Sequence, residues 1–418
     1  MKSFTSWLVP ERAWEGPGLA LMAALMLVLP LSHTTALRNV LAVLLIGISG
    51  WGVVVRRWPF RFPLRTPWLT YAGFALASLA WSVDRAASLG EFKSELLYAL
   101  LCFLLGANWL ARSSRLMRVA HAMVALTAVL LADLFAYAIV TYLRTGDWPM
   151  ITGGWLAGVG KLSSYLVMAL PFLLLVVARR GVLAWLAAFL LAGTAVAIYI
   201  SGNRIGFFVV TAQVALGSIL WWPRLLRPQR IRLVLAGLAW LAVLAGVATQ
   251  QFHERALSDY GNAAADKGYA SIVYQVQADP RWMIWSHTLE NTRAPWWRGG
   301  GFGLTTFKHL YPELSNTPET ELYSHAHNLL LNKYVQLGAP GLTLFVLLIG
   351  SVLFGLLRPP SPGIDAWRIA LIMSLTGLLL KVQTDDFFNR DVGWYFWLLA
   401  GLATGLVGSQ AARRDNHG

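Results

Sequence analysis

Two histidines lie where the longest polar part of the chain returns to apolar sequence. His325 and His327 occur in the run Tyr323-Ser-His-Ala-His-Asn-Leu-Leu-Leu, just before a segment apolar enough to enter a membrane. Because a neutral imidazole accepts a proton near pH 7, histidines at such a boundary suit general-base catalysis on a lipid-bound substrate. The alternative is that both rings only end a helix at the membrane interface, where amphipathic side chains are common.

Two arginines on the same predicted side of the membrane form a candidate anion site. Arg204 lies in a tight turn between two apolar segments, and an ionised residue at that depth has a functional role by default. Arg281 lies in the first turn of a predicted helix, where free backbone N–H groups already favour an anion. Because planar guanidinium groups match phosphate oxygens, the pair predicts a bidentate clamp for a diphosphate. The alternative for Arg204 is that it reaches outer lipid headgroups.

The helix predicted around Arg281 begins after Asp279, which can cap it, and has Pro280 in its first turn. Trp282, Trp285 and Leu289 follow at helical spacing and predict one apolar face. The next segment is Ala294-Pro-Trp-Trp-Arg-Gly-Gly-Gly-Phe-Gly303. Its glycines lack phosphate-loop spacing, so a structural turn is favoured over a phosphate cradle.

A metal site is a competing interpretation of the same region. His325 and His327 could be two ligands in an extended segment, with Glu319 or Glu321 nearby, although on a helix their rings would point in nearly opposite directions. A set of acidic residues could instead hold a divalent cation; it consists of Glu91, Glu95, Asp385, Asp386 and Asp391. No pair in that set has a diagnostic spacing. We therefore predict no metal and no other cofactor, and the lack of a Walker or dinucleotide motif argues against a nucleotide.

The composition predicts a membrane protein. Hydrophobic residues make up 57% of the 418 residues and charged residues only 13%, and the apolar residues occur in runs of about twenty, the length of a membrane-crossing helix. The formal net charge of +14 comes from Lys and Arg in short loops between these runs, so it reports topology rather than nucleic-acid binding. Cys102 is the only cysteine, which excludes an intrachain disulfide.

The fold predicted from these runs is an all-α polytopic membrane protein with about twelve transmembrane helices and one large outward loop. Basic clusters in alternate loops, such as the one from Arg56 to Arg65, place those loops and both termini in the cytoplasm. The predicted division is transmembrane helices 1–9 at 1–249, a loop domain with short helices at 250–332, and transmembrane helices 10–12 with a cytoplasmic tail at 333–418. The many aromatic residues of the loop indicate that it is ordered and packs against the membrane surface.

The order of these motifs resembles the O-antigen ligase and O-antigen polymerase superfamily. The resemblance rests on an outward arginine between two spans (Arg204), an Arg-x-x-x-Trp helix (Arg281 to Trp285), a glycine-rich turn, and a His-Asn-x-x-Leu segment (His327, Asn328, Leu331) followed by Gly-Ala-Pro-Gly. The specific motifs lie only between about 201 and 341. Chain length, loop size and number of spans are most similar to the ligase branch.

This resemblance implies a glycosyltransferase C-type fold in the inner membrane of a Gram-negative bacterium, with the active site on the periplasmic side. The implied reaction transfers O-antigen from undecaprenyl pyrophosphate to a sugar of the lipid A-core, without a nucleotide sugar or a required metal. His327 matches the essential histidine, and Arg281 and Arg204 match the two arginines assigned to the donor diphosphate. His325 and Asn328 are expected to contact the substrate. The Ser-Gly-Asn-Arg turn departs from the commoner Ser-Arg form, which makes Arg204 the weakest of these matches.

Two kinds of alternative stay open. Within the family, an O-antigen polymerase would use the same donor with a second prenyl-linked glycan as acceptor, and a ligase for protein acceptors is a further branch. From a different class, a transporter or flippase would predict charged or broken-helix positions near mid-span and two-fold repetition. The sequence shows neither, although Pro30 and Pro171 interrupt spans. A lipid-open cavity holding Arg204, Arg281 and His327 would favour transfer, and a pore would favour transport. The oligomeric state is not predicted.

Overall fold

The part of the chain that the structure describes consists of helices and their connections. The structure, a computed structural model, describes residues 12–111, 115–146, 153–201, 203–257, 280–314, 325–357, 365–384, 386, 388 and 390–415. Within these residues there is no β-strand, so the predicted all-α class is confirmed. The α-helices in chain order are α1 (Arg12–Val28), α2 (Thr35–Val54), α3 (Arg65–Ala77), α4 (Arg85–Glu91), α5 (Tyr98–Leu105), α6 (Leu116–Thr145), α7 (Val159–Val177), α8 (Val182–Ile200), α9 (Arg204–Trp221), α10 (Arg227–Leu257), α11 (Pro280–Glu290), α12 (Thr306–Leu310), α13 (Leu329–Leu357), α14 (Asp365–Lys381) and α15 (Arg390–Asp415).

Several of these helices have the length and composition of membrane spans. Among the described residues, α2, α6, α7 and α13 are long and apolar enough to cross a bilayer. Shorter apolar stretches occupy Gly16–Val28, Val182–Ile198 and Ile205–Trp221. The chain is therefore a multi-pass membrane protein. The count of about twelve crossings, the outward position of the loop, the domain division and the glycosyltransferase C-type fold stay predictions.

The centre of the bundle is α7, which is buried on every side over most of its length and packs against α6, α8, α9 and α14. Buried polar side chains fix its register with two neighbours. Gln213 of α9 donates through Nε2 to the carbonyl oxygens of Val167 (3.1 Å) and Met373 (2.8 Å). Ser374 of α14 donates to the carbonyl oxygen of Met168 over 2.8 Å. These bonds set α14 beside both α7 and α9.

Helix α13 is broken inside a single long apolar segment. Gly338 has φ 66° and ψ −172°, a conformation that only glycine adopts readily. Pro340 has no N–H, so the carbonyl oxygen of Gln336 loses its helical donor. The glycine-rich turn supplies donors at the break. The nitrogen atoms of Gly300 and Gly301 lie 2.9 Å and 2.8 Å from the carbonyl oxygens of Val335 and Gln336. The turn is thus structural, as predicted, and its amides stabilise the break.

The described part of the loop has a small core of its own. Ile284 of α11, Phe307 and Tyr311 pack with Ala326 and Val335, so residues 280–314 are ordered, as their aromatic content predicts. Trp282, Trp285 and Leu289 share one face of α11, as their spacing predicts, but this face is not the buried one. Trp282 and Leu289 are 51% and 61% exposed, whereas the buried positions are Ile284 and Thr288. Because α11 has apolar residues on several sides, its tertiary neighbours rather than its periodicity select the buried face.

Candidate functional site

The two histidines lie in an irregular segment directly before α13. His325 and His327 stack with their ring centroids 4.1 Å apart and their planes at 29°. Both side chains are partly exposed. His327 has φ 51°, a left-handed conformation that costs a non-glycine residue about 1–3 kcal/mol and is concentrated at functional sites. The two rings therefore lie side by side, rather than pointing in nearly opposite directions as they would on a helix.

Ala326 anchors the backbone between the two rings. Its N–H donates to Asn332 Oδ1 over 2.8 Å, and its carbonyl oxygen accepts from Trp285 Nε1 over 2.8 Å. The alanine itself is completely buried. Because both backbone groups are satisfied by side chains from different helices, the positions of His325 and His327 depend on α11 and α13 together.

Asn328 caps α13 and connects it to α14. Its Oδ1 accepts from the N–H of Leu331 over 2.9 Å, which is the N-cap arrangement. Its Nδ2 donates to the carbonyl oxygen of Gln383 over 2.9 Å, and the N–H of Leu329 donates to Val382 over 3.0 Å. Both polar atoms of the Asn328 carboxamide are hydrogen-bonded, so Asn328, the residue after His327, is fixed in position. A direct role of His325 or Asn328 in binding substrate stays a prediction.

Arg281 lies in the first turn of α11, as predicted. It is one helical turn before Trp285, so the two side chains project from the same face of the helix. Since the Trp285 indole reaches Ala326, this face is the one turned towards the histidine segment. Asp279, the predicted cap of this helix, lies outside the described residues.

Arg204 begins α9, and only its backbone belongs to the described part of the chain. Asn203 caps the helix by accepting from the N–H of Gly206 over 2.7 Å, so the departure from the Ser-Arg form introduces a regular N-cap. Gln213 bonds to Met373 on antiparallel α14. Arg204 precedes Gln213 by about 2.5 turns, which brings its backbone to the level of Val382, the residue bonded to Leu329. The starts of α9 and α13 therefore lie at the same end of the bundle.

A buried polar layer lies beneath the histidine segment. Asn332, whose Oδ1 holds Ala326, donates through Nδ2 to Asp386 Oδ2, and both residues are almost fully buried. Burial raises the pKa of Asp386, while the hydrogen bond from Asn332 and Coulombic interactions with Lys333 and His327 act in the opposite direction. Lys333 Nζ lies 3.1 Å from Gln336 Oε1 and 3.6 Å from Glu95 Oε2. This layer satisfies its own charges and supports the segment above it.

The acidic residues considered for a metal have other partners in the structure. Glu91 accepts from the N–H of Thr305, and Asp391 Oδ2 lies 3.0 Å from Lys161 Nζ. Within the described residues, no group of three or more His, Cys, Asp or Glu side chains is placed to hold a metal ion. Glu319, Glu321 and Asp385, which also belonged to the metal alternatives, lie outside the described residues.

Residues 187–346 match the family model described as O-antigen ligase. This match supports membership of the O-antigen ligase/polymerase superfamily. The matched region covers fewer than half of the residues; it begins in α8, ends in α13 and includes Arg204, Arg281 and the histidine segment. The family implies a glycosyltransferase-like transfer of lipid-linked polysaccharide. A comparison with curated proteins found no match.

Some residues that build this site carry no chemical motif in the sequence. Asn332 and Gln336 occur in an apolar helix, and no motif marks them. Trp285 belongs to the Arg-x-x-x-Trp motif, but that motif does not reveal its bond to Ala326. Buried polar residues inside a membrane span are a signal in their own right, since each must be paired. That rule would have selected Asn332 and Lys333 from the sequence, but it would not have named their partners.

Proposed function

We propose that the protein is an O-antigen ligase. It transfers O-antigen polysaccharide from undecaprenyl pyrophosphate to a sugar of the lipid A-core, on the periplasmic side of the inner membrane. The observation that carries this proposal is the match over residues 187–346, which spans all three chemical motifs. Support comes from the bond between Trp285 and Ala326, because it joins the helix bearing Arg281 to the segment bearing His327.

The donor binds through its diphosphate in this proposal. The prenyl tail lies in lipid against the apolar helices, and the diphosphate lies between Arg281 and Arg204. Charge on the leaving diphosphate grows as the anomeric C–O bond breaks, so fixed guanidinium groups stabilise the transition state more than the ground state. The helix dipole at the first turn of α11 favours the same anion.

The acceptor reacts by single displacement. The acceptor hydroxyl oxygen forms the new bond to the anomeric carbon on the face opposite the leaving group, and the electron pair of the broken C–O bond leaves with undecaprenyl pyrophosphate. His327 accepts the hydroxyl proton, and the configuration at the anomeric carbon inverts. The left-handed backbone of His327 and the buried Ala326 before it hold the imidazole ring in one position.

Reconstitution of the purified full-length chain tests the proposal. The chain is placed in liposomes with prenyl-pyrophosphate glycan and lipid A-core, with a chelator present, and products are separated by size. The expected result is a ladder of core molecules that carry glycans of different lengths. The anomeric configuration of the new linkage is expected to be the inverse of that in the donor. Lengthening of the donor glycan, with or without core, would instead identify a polymerase. Movement of the donor across the bilayer without a product would identify a carrier. His309→Ala, in α12, serves as the matched histidine control beside His327→Ala.

A further inference from the structure

A cavity of about 370 Å³ lies between α2 and the helical segment that contains α5, and it is lined mainly by apolar side chains. It is remote from the histidine segment. The first turn of α2 approaches the start of α15 through Arg38 and Asp391, whereas the cavity is lined by the second half of α2, from Ile46 to Val54. The cavity therefore lies towards the opposite end of the bundle.

The cavity opens beside an exposed apolar surface. Helix α2 is one of the candidate membrane spans. Two lining residues, Val54 and Phe60, are 79% and 52% exposed, an exposure that large apolar side chains tolerate in lipid. An occupant with a long apolar chain can therefore enter from the bilayer without crossing water.

The walls of the cavity have a preformed shape. Asn108 clamps the connection after α2, because its Oδ1 accepts from the N–H of Arg61 and its Nδ2 donates to the carbonyl oxygen of the same residue, both over 2.9 Å. Trp109 Nε1 donates to Ser49 Oγ over 2.8 Å, and its ring packs edge-on against Trp58. These bonds cross between α2 and the helix opposite it, so the cavity does not depend on an occupant to stay open.

Positively charged side chains lie at the cavity and in the loop that adjoins it. Arg115 lines it, is 4% exposed and donates through Nη1 to the carbonyl oxygen of Trp109 over 2.6 Å. The adjoining loop carries Arg56, Arg57, Arg61 and Arg65, and no Asp or Glu occurs in residues 35–83 or 96–132. Basic pockets between membrane helices favour anionic headgroups, and each nearby cation adds to the attraction.

We propose that this cavity binds one acyl chain of an anionic glycerophospholipid, with the headgroup phosphate beside Arg61 and Arg115. The apolar lining takes the chain, and the cations select the charge of the headgroup. A zwitterionic lipid supplies the same chain without the net negative charge, so it binds more weakly. The site requires neither donor nor acceptor glycan and is independent of the transferase proposal.

Native mass spectrometry of the purified full-length chain tests this site. Delipidated protein is mixed with equal amounts of phosphatidylglycerol and phosphatidylethanolamine that carry the same acyl chains. The wild-type chain is expected to retain one phosphatidylglycerol at collision energies that strip phosphatidylethanolamine. Gly50→Phe fills the cavity, because Gly50 lines it and a Cβ there meets nothing within 4 Å; the retained lipid is expected to be lost. Gly47→Phe is the matched control on the same helix, also with open space at its Cβ, and is expected to retain it.

A second variant separates charge from packing. Arg61→Ala removes an exposed cation without touching the cavity wall, and it is expected to weaken phosphatidylglycerol about fivefold while phosphatidylethanolamine is unchanged. Equal retention of the two lipids by the wild-type chain, or unchanged retention by folded Gly50→Phe, overturns the proposal. If Gly50→Phe does not fold, unchanged phosphatidylglycerol binding by Arg61→Ala overturns it by itself.

Discussion

The indole nitrogen of Trp285 lies 2.8 Å from the carbonyl oxygen of Ala326 and connects residues 41 positions apart. Through this bond, α11 is fixed to the backbone between His325 and His327. The same alanine is held from the other side by Asn332, so any shift of α11 moves the histidine segment relative to α13. The relative placement of the proposed anion-binding helix and the proposed base is therefore set by backbone contacts rather than by the substrate.

Trp285→Phe tests this coupling, because it keeps an aromatic ring but removes the N–H donor. The carbonyl oxygen of Ala326 is then left without its indole partner, which costs about 1–3 kcal/mol. We expect the kcat for glycan transfer to fall about tenfold, with a smaller change in KM and a small decrease in Tm in detergent. Trp282→Phe on the same helix is the control, since Trp282 is 51% exposed. A Trp285→Phe enzyme with wild-type kcat would disprove the positioning role.

His327→Ala tests the proposed base. General-base catalysis contributes about a hundredfold to ten-thousandfold, so transfer to the lipid A-core should be nearly abolished while the donor still binds. His325→Ala removes only the stacked neighbour and should cost less. Initial rates in the liposome assay measure both. A larger loss for His325→Ala than for His327→Ala would reverse the assignment of the base.

Arg281→Lys tests the proposed clamp, because it keeps the positive charge and removes the planar fork. Lysine binds phosphate as a point charge and cannot reproduce a bidentate contact. We expect a clear loss of transfer and of donor binding, measured by rates and by retention of prenyl pyrophosphate. Arg118→Lys is the control, because Arg118 is an exposed residue in the first turn of α6. Near-normal activity of Arg281→Lys would show that charge alone is sufficient.

Gly338→Ala tests the helix break. A Cβ at Gly338 would lie 2.5 Å from the carbonyl oxygen of Trp296, and its φ is 66°, so the substitution strains the backbone by about 1–3 kcal/mol. We expect a lower Tm in detergent. Gly350→Ala on the same helix is the control, because a Cβ there meets nothing within 4 Å, and alanine is favoured over glycine inside a helix. Equal Tm values for the two variants would argue against a strained break.

The fold class and the chemical motifs could be predicted from the sequence because both are local. Long apolar runs predict membrane helices, whereas the break of α13 at Gly338 was found only in the structure. The side of α11 that is buried could not be predicted in this way. Its Trp282 and Leu289 have helical spacing, yet Phe307 and Tyr311 cover Ile284 instead. Periodicity identifies a helix, whereas the neighbouring segments decide which side is buried.

What the sequence by itself determined is the membrane class of the chain, the order of its arginine and histidine motifs, and the family that this order indicates. Only the tertiary structure decided how those motifs are held. It placed the indole of Trp285 on Ala326, the amide of Asn332 on Asp386, and the glycine-rich turn on the broken α13. The physical reason is that each of these contacts satisfies a buried polar group with a partner far away in the chain. A sequence pattern records the need for such a partner but not its identity.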